Sequence, residues 1–307
     1  MSKIAIVTDS NSGITQGRAK ELGFFVLPMP FVINEKNYFE DIDLTQEQYY
    51  ELLSDENAEI HTSQPLPAQV MDLWDSLLGE YDEIVHIPMS SGLSGSCESA
   101  MTFAENYDGK VHVVNNQRIS VTQKVSCFEA KKMADSGMSA AQIKERLEAT
   151  KFDSAIFITV DTMKYLKKGG RVTPAAATVA GILNIKPVLK IFGEKLDAFA
   201  KSRGMKNAKQ VMIKAIRDEL EKGYGGEDSE HPNAWIGMAY TYNRDIAEEF
   251  MDEVKKEFPG YRVFLDPLSL SVACHIGPGS LAVSCTKVQP DGMQYNEDDK
   301  KRYWDAL

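Results

Sequence analysis

The chain has 307 residues, 43% of them hydrophobic and 26% charged, with a formal net charge of -11. That length suggests about two domains at roughly 150 residues each, with enough apolar content to fill a sizeable core. The acidic balance argues against a general nucleic-acid binder, which needs clustered cations to release counterions, and favours a protein that resists self-association.

The longest apolar stretches, such as Phe24 to Ile33, fall far short of the ~20 residues that span a bilayer, so no stable membrane insertion is expected. Met1 to Val7 runs directly into a buried-strand pattern, without the successive regions of a signal peptide. Cys97, Cys127, Cys274 and Cys285 form no CxxC pair. Reduced thiols, and hence a cytoplasmic location, are the expectation.

In chain order, Ile4 to Val7 is a β-branched run that ends in the polar turn Thr8-Asp9-Ser10. Phe24 to Ile33 reads as a second strand interrupted by Pro28 and Pro30, and Glu83 to Ile87 and Val111 to Val114 as short strands, each after a helical stretch. Strands separated by helices imply a parallel sheet with right-handed crossovers. Ligands of such sheets sit beyond the carboxyl ends of the strands, which brings Thr8-Asp9-Ser10 and the loop after Ile87 to one edge. Val125 to Thr150 reads as two helices, broken at Gly137 and restarted by a Ser139 cap.

A boundary is expected near Lys151. Beyond it come a strand (Ala155 to Val160), a helix through Leu166, a hairpin from Lys186 to Ala200 turning at Gly193-Glu194, and a helix from Ala208 to Lys222. A Gly- and acid-rich loop (Gly223 to Glu230), a strand (Ala234 to Tyr240), a helix (Asp245 to Phe258) and a strand (Arg262 to Leu265) follow. The expected fold class is α/β: residues 1–150 form a domain with a mainly parallel sheet flanked by helices, residues 151–288 a second, smaller α/β domain with a mixed sheet, and residues 289–307 a polar C-terminal tail.

Four segments could carry chemistry. Ser90-Ser91-Gly92-Leu93-Ser94-Gly95-Ser96 follows a strand and opens a helix, where free N–H groups and hydroxyls suit an anion. Ser94 could equally be a plain helix cap. In His61-Thr62-Ser63-Gln64-Pro65-Leu66-Pro67 two prolines hold the chain extended and keep it from joining the preceding strand, fixing the Thr and Ser hydroxyls; a proline-primed helix start explains the same residues. His275 precedes a Gly-Pro-Gly turn that can aim its ring into a cleft, or it is a packed structural histidine.

The last is a pair of basic clusters without acids: Lys164, Lys167, Lys168 and Arg171, then Lys201, Arg203, Lys206 and Lys209. A solvated face is the ordinary explanation of such a run. Gly169-Gly170 before Arg171, however, suggests a bend that lets the guanidinium reach a carboxylate or phosphate. GxGxxG, GxxxxGK[ST] and HExxH motifs are missing, so a nucleotide or metal cofactor is unsupported.

Together these segments resemble the DegV family, which includes the fatty-acid-binding subunits of bacterial fatty acid kinase. The matching pieces are Thr8-Asp9-Ser10, Thr62-Ser63-Gln64-Pro65, Ser91-Gly92-Leu93-Ser94-Gly95, Tyr165-Leu166-Lys167-Lys168-Gly169-Gly170-Arg171, Asn184-Ile185-Lys186-Pro187 and His275-Ile276-Gly277-Pro278-Gly279. The resemblance implies one long-chain fatty acid such as palmitate between two α/β domains, its carboxylate hydrogen-bonded by Thr62 and Ser94, with Arg171 and His275 near the mouth. It also implies a non-catalytic carrier that presents the acid to the ATP-binding subunit of a fatty acid kinase for acyl phosphate formation, with Arg203 a candidate for docking. The chain departs from common members at Ser96, often Thr, and after Val288.

Two alternatives stand beside this one. Gly92-Leu93-Ser94-Gly95-Ser96 is one residue from a GxSxG elbow, and Ser94, Asp266 and His275 follow the order of a serine hydrolase. A binding module for another anionic amphiphile is the other.

Overall fold

The computed structural model describes residues 2–53, 58–177, 185–224 and 233–288. Asn184, the end of the loop expected at Gly223 to Glu230, and the 289–307 tail lie outside these residues.

The first half builds a four-stranded sheet that is parallel throughout, in the order β2-β1-β6-β7. Strand β1 is Ile4–Asp9, and after helix α1 (Gln16–Leu22) comes β2, Phe24–Leu27. The apolar run from Phe24 does not continue as one strand. Pro28 has no N–H to give a ladder, and the chain restarts in another sheet as β3 (Pro30–Ile33), followed by β4 (Lys36–Phe39). Helix α2 (Gln46–Leu53) leads to β5 (Ile60–Thr62), which pairs antiparallel with β3 and sets Thr62 opposite Phe31. Thr62 therefore closes a strand of a small sheet ordered β4-β3-β5, where the prolines suggested an extended segment kept from joining the preceding strand. The prolines act one step later: Pro67 opens helix α3 (Pro67–Leu78), which buries Val70, Trp74 and Leu77.

Strand β6 (Glu83–Ile87) runs beside β1 with Thr8 opposite Ile87, so their carboxyl ends share one edge as expected. Helix α4 (Ser96–Ala104) and β7 (Val111–Val113) complete the layer. Helix α5 (Val121–Asp135) packs on β1 and β6 on one side and reaches the second sheet on another, so it is buried almost along its whole length. Its polar residues survive there by pairing: Arg118 reaches Glu129 at 3.3 Å, and Lys124 Nζ reaches Asp266 at 2.7 Å. Ser139 caps α6 (Ala140–Ala149) through a capping box with Gln142.

The second sheet is mixed, as expected, in the order β10-β9-β8-β13-β11-β12. Its strands are β8 (Ser154–Thr159), then, after the short helices α7 (Lys164–Gly169) and α8 (Pro174–Ala177), the hairpin β9 (Ile185–Ile191) and β10 (Leu196–Arg203). Helix α9 (Gly204–Gly223) precedes β11 (Ala234–Tyr240), and α10 (Arg244–Glu257) precedes β12 (Val263–Pro267). Helix α11 (Leu270–Ile276) and β13 (Leu281–Lys287) end the described chain. The sequence reading contained neither β13, which lies at the centre of this sheet between β8 and β11, nor α11.

An apolar cluster joins the two layers. Met29, Met89, Ile119, Val121 and Val125 from the first half meet Ile156, Ile158, Leu189, Trp235, Ala239 and Ala282 from the second. The close approach depends on Gly237 of β11, where an added Cβ would lie 2.9 Å from both Val121 Cβ and Phe264 Cζ. Gly237→Ala should overpack this contact and lower stability by about 1–3 kcal/mol in urea denaturation. An unchanged midpoint and slope would contradict the packing described.

Candidate functional site

A cleft of about 230 Å³ opens within this interlayer cluster. Its floor is apolar: Ile119, Val121, Ile156, Ile158, Ile191, Ala239 and Ala282, joined by Leu268, Val272 and Ile276. Thr62, Ser63, Gln64, Ser94, Gly95, Arg171 and His275 also line it. Thr62, Ser94, Arg171 and His275, separated widely in sequence, thus face one cavity. Arg203 does not: it ends β10 on the surface, and its carbonyl accepts from Asn207 Nδ2 at 2.9 Å.

Thr62 Oγ1 lies 2.8 Å from His275 Nε2, joining the last residue of β5 to α11 across 213 positions of sequence. Ser94 sits on the tight turn before α4, and its Oγ accepts the N–H of Ser96 at 3.2 Å. With that lone pair used, the Ser94 O–H remains available as a donor. Gln64 holds the two segments together, its Oε1 accepting from Ser99 Oγ of α4 at 3.4 Å and lying close to Gly95. Ser90 Oγ donates to the carbonyl of Glu194 at 3.1 Å, which fastens the α4 turn to the hairpin of the second sheet.

His275 is held by glycine on the facing helix. A Cβ at Gly169 of α7 would stand 2.4 Å from His275 Nδ1, so the absence of a side chain there lets α7 and α11 approach closely. Gly170, at φ 67°, ends α7 in the left-handed region and turns the chain to Arg171, whose Nη1 donates to the Gly169 carbonyl. Burial, reinforced by the Arg171 guanidinium, pushes His275 down to about 4 from its ordinary 6.5. The ring is neutral near pH 7, and either nitrogen can carry its proton.

The basic clusters divide in the same way. Lys164, Lys167, Lys168 and Arg171 are exposed around α7, whereas Lys209 of the second cluster turns inward and pairs with Glu253 at 3.0 Å.

The hydrolase arrangement is not assembled. Asp266, its required acid, is bound to Lys124, and His275 Nε2 is turned to Thr62 rather than Ser94. A triad would need Asp266 on one imidazole nitrogen and Ser94 on the other. The order of residues in sequence carried no information about this, since the fold pairs Asp266 of β12 with Lys124 of α5.

Other residues here escaped the sequence reading. Asn11 Oδ1 accepts from both Ser269 and Ser271, which ties the end of β1 to α11. Ser120 lines the cleft at φ 57° and ψ -136°, a conformation that ordinarily belongs to glycine. Neither has a motif, and only the fold brings them to the cleft. Among the described residues, no group of three or more His, Cys, Asp or Glu could hold a metal ion, and no helix is long and apolar enough to cross a membrane.

These features define a class: two packed α/β layers enclosing an apolar cleft with hydroxyls in its wall. Residues 3–288 match the DegV family, and the chain belongs to it. A DegV domain-containing protein of Caldanaerobacter subterraneus is 28% identical over 284 residues, covering 92% of this chain and 98% of that one. One from Streptococcus pneumoniae is 30% identical, covering 83% and 88%. A DegV family protein from Thermus thermophilus, described as fatty acid binding, superposes with a TM-score of 0.84 at 27% identity, covering 93% of this chain and all (100%) of that one. A stearic-acid-binding protein from Eubacterium ventriosum shares the fold, with a TM-score of 0.81 at 23% identity over 94% and 98% of the two chains.

The neutral state of His275 has a consequence for pH dependence. Between about 6.5 and about 4 the unfolded chain binds a proton at this position that the folded chain does not, so stability falls as the solution is acidified through that window. His86, pushed down to about 3 by burial, adds to the same slope. His275→Gln should flatten, without abolishing, the loss of stability between these pH values when urea midpoints of variant and parent are compared. Parallel curves would show that His275 is not buried as described.

Proposed function

We propose that this protein binds one long-chain fatty acid in the interlayer cleft, with the acyl chain on the apolar floor and the carboxylate at the hydroxyls of Thr62 and Ser94. One observation carries the reading: a single apolar cleft whose wall includes hydroxyl donors from two separate segments, tied together by Gln64. The Thermus relative described as fatty acid binding supports it.

The energetics favour such a ligand. A sixteen-carbon chain gains on the order of 10 kcal/mol gross at ~0.8 kcal/mol per buried methylene, before the costs of association. Its carboxylate needs donors, because an unpaired buried ion costs far more than a hydrogen bond returns. Hydrogen bonds to a charged oxygen contribute about 1.5–3 kcal/mol each. When His275 carries its proton on Nε2, it donates to Thr62 Oγ1 and leaves the Thr62 O–H free for the carboxylate. The Ser94 O–H is the second donor. Arg171, exposed at the mouth, adds positive potential without closing a buried ion pair around the headgroup.

In this reading the chain is a carrier without catalytic activity of its own. It presents the carboxylate to the ATP-binding subunit of a fatty acid kinase, which converts it to an acyl phosphate. Donation from neutral hydroxyls leaves the carboxylate oxygens nucleophilic for that step. Arg203, with its exposed guanidinium away from the cleft, is the docking residue we assign to the kinase.

Thr62→Ala combined with Ser94→Ala should raise the dissociation constant for palmitate at least about tenfold, with unfolding midpoints within ~1 kcal/mol of the parent. Unchanged binding by the folded double variant would refute the site, and lipid extracted from the purified protein and identified by mass spectrometry would reveal any other amphiphile. Arg203→Ala should reduce kinase-dependent acyl phosphate formation while leaving palmitate affinity intact; equal losses in both assays would remove its docking role.

A further inference from the structure

Behind the wall of the cleft lies a second, much smaller chamber, and Gln64 borders both. Asp9, Pro65, His86, Ser96 and Ser99 are among its other lining residues. It leaves about 10 Å³ for the centre of a water molecule, which is room for one. The chamber itself is separate from the cleft that holds the acyl chain.

Its polar lining is only half accounted for. Asp9 is served: Oδ2 accepts from Met89 N at 2.8 Å, and Oδ1 from Asn11 N at 3.0 Å and Gln123 Nε2 at 3.1 Å. His86 is not. It stands on β6 within the apolar packing of α3 and α4, 3% exposed, and neither ring nitrogen has a hydrogen-bond partner. The hydroxyl of Ser96, the first residue of α4, is buried and unpartnered as well. A neutral imidazole offers one donor and one acceptor, and a serine hydroxyl offers both. Buried groups of this kind are nearly always satisfied, by protein or by ordered water.

We propose that this chamber is a built site for one ordered water, bonded to His86 and to the Ser96 hydroxyl, which links β6 to the first turn of α4. The position gives the water a role, one that rests on the proposed fatty-acid function. Ser96 donates its backbone N–H to Ser94 Oγ, and Gln64 follows Thr62 by two residues. The water therefore steadies the turn that carries Ser94, beside the Gln64 segment that follows Thr62. His86 and Ser96 act as positioning residues and make no contact with the ligand.

The test uses the full chain and three readouts. A high-resolution crystal structure should show a density peak within about 2.7–3.2 Å of one His86 ring nitrogen and of Ser96 Oγ. Ser96→Ala should weaken palmitate binding about three- to tenfold although Thr62 and Ser94 are intact. His86→Phe, which fills the chamber with an apolar ring, should lower the unfolding midpoint, because it removes groups that are satisfied through water. A dry chamber together with a raised midpoint in His86→Phe would overturn the proposal, since deleting unsatisfied groups stabilises. If His86→Phe does not fold, density and Ser96→Ala decide. Density without any change in palmitate affinity would overturn the positioning role. Failure of the parent protein to bind palmitate would instead count against the function proposed above, leaving the density and stability readouts to judge the water site.

Discussion

The hydrogen bond between Thr62 and His275 closes the site, because it joins elements that nothing in the local sequence brings together. Thr62 ends an edge strand of the three-stranded sheet, while His275 is carried on α11 against α7. Each is held by a second tie: Asn11 secures α11 from the end of β1, and Gln64 secures the β5 end to α4. The remaining walls of the interlayer cleft are apolar side chains from both layers, among them Ile119, Val121, Ile156, Ile158, Ala239 and Ala282.

Neutrality is what makes this arrangement useful. A protonated His275 beside Arg171 would place two positive charges at the mouth, and burial together with that guanidinium keeps the ring uncharged at neutral pH. Thr62 and Ser94 then present neutral, directional O–H donors on the cleft wall. Deeper in the protein the opposite solution is used: Arg118 with Glu129, and Lys124 with Asp266, are charges buried as pairs. Pairing satisfies them but leaves nothing to offer a ligand. This is why Asp266 belongs to the scaffold, even though its place in the sequence between Ser94 and His275 mimics a catalytic acid.

Much of the architecture was legible because it rests on local patterns. The strands Glu83–Ile87 and Ala234–Tyr240 follow from their apolar runs, α6 from its Ser139 cap, and the hairpin from Gly193-Glu194. The failures share a different cause. Phe24 to Ile33 reads as one strand interrupted by Pro28 and Pro30, whereas the missing N–H of Pro28 divides it between two sheets. Strand β13 follows a Gly-Pro-Gly turn and contains Ser284 and Thr286, which hydrogen-bond to Gly237 and Ser154 inside the sheet, so it lacks a purely apolar signature. Among the site residues, Thr62, Ser94, Arg171 and His275 sit in motifs that turns and caps make conspicuous. Ser120 and His86 do not, since a strained serine and an unpartnered histidine are recognisable only once their surroundings are known.

The central claim is that a fatty acid lies in the interlayer cleft with its headgroup at Thr62 and Ser94. A crystal structure of the protein saturated with palmitate tests it most directly. The account predicts carboxylate oxygens within hydrogen-bonding distance of Thr62 Oγ1 and Ser94 Oγ, with the chain running over Ile158, Ala239 and Ala282. A reversed chain, or a headgroup bound at the exposed lysines of α7 with the cleft unfilled, would contradict it.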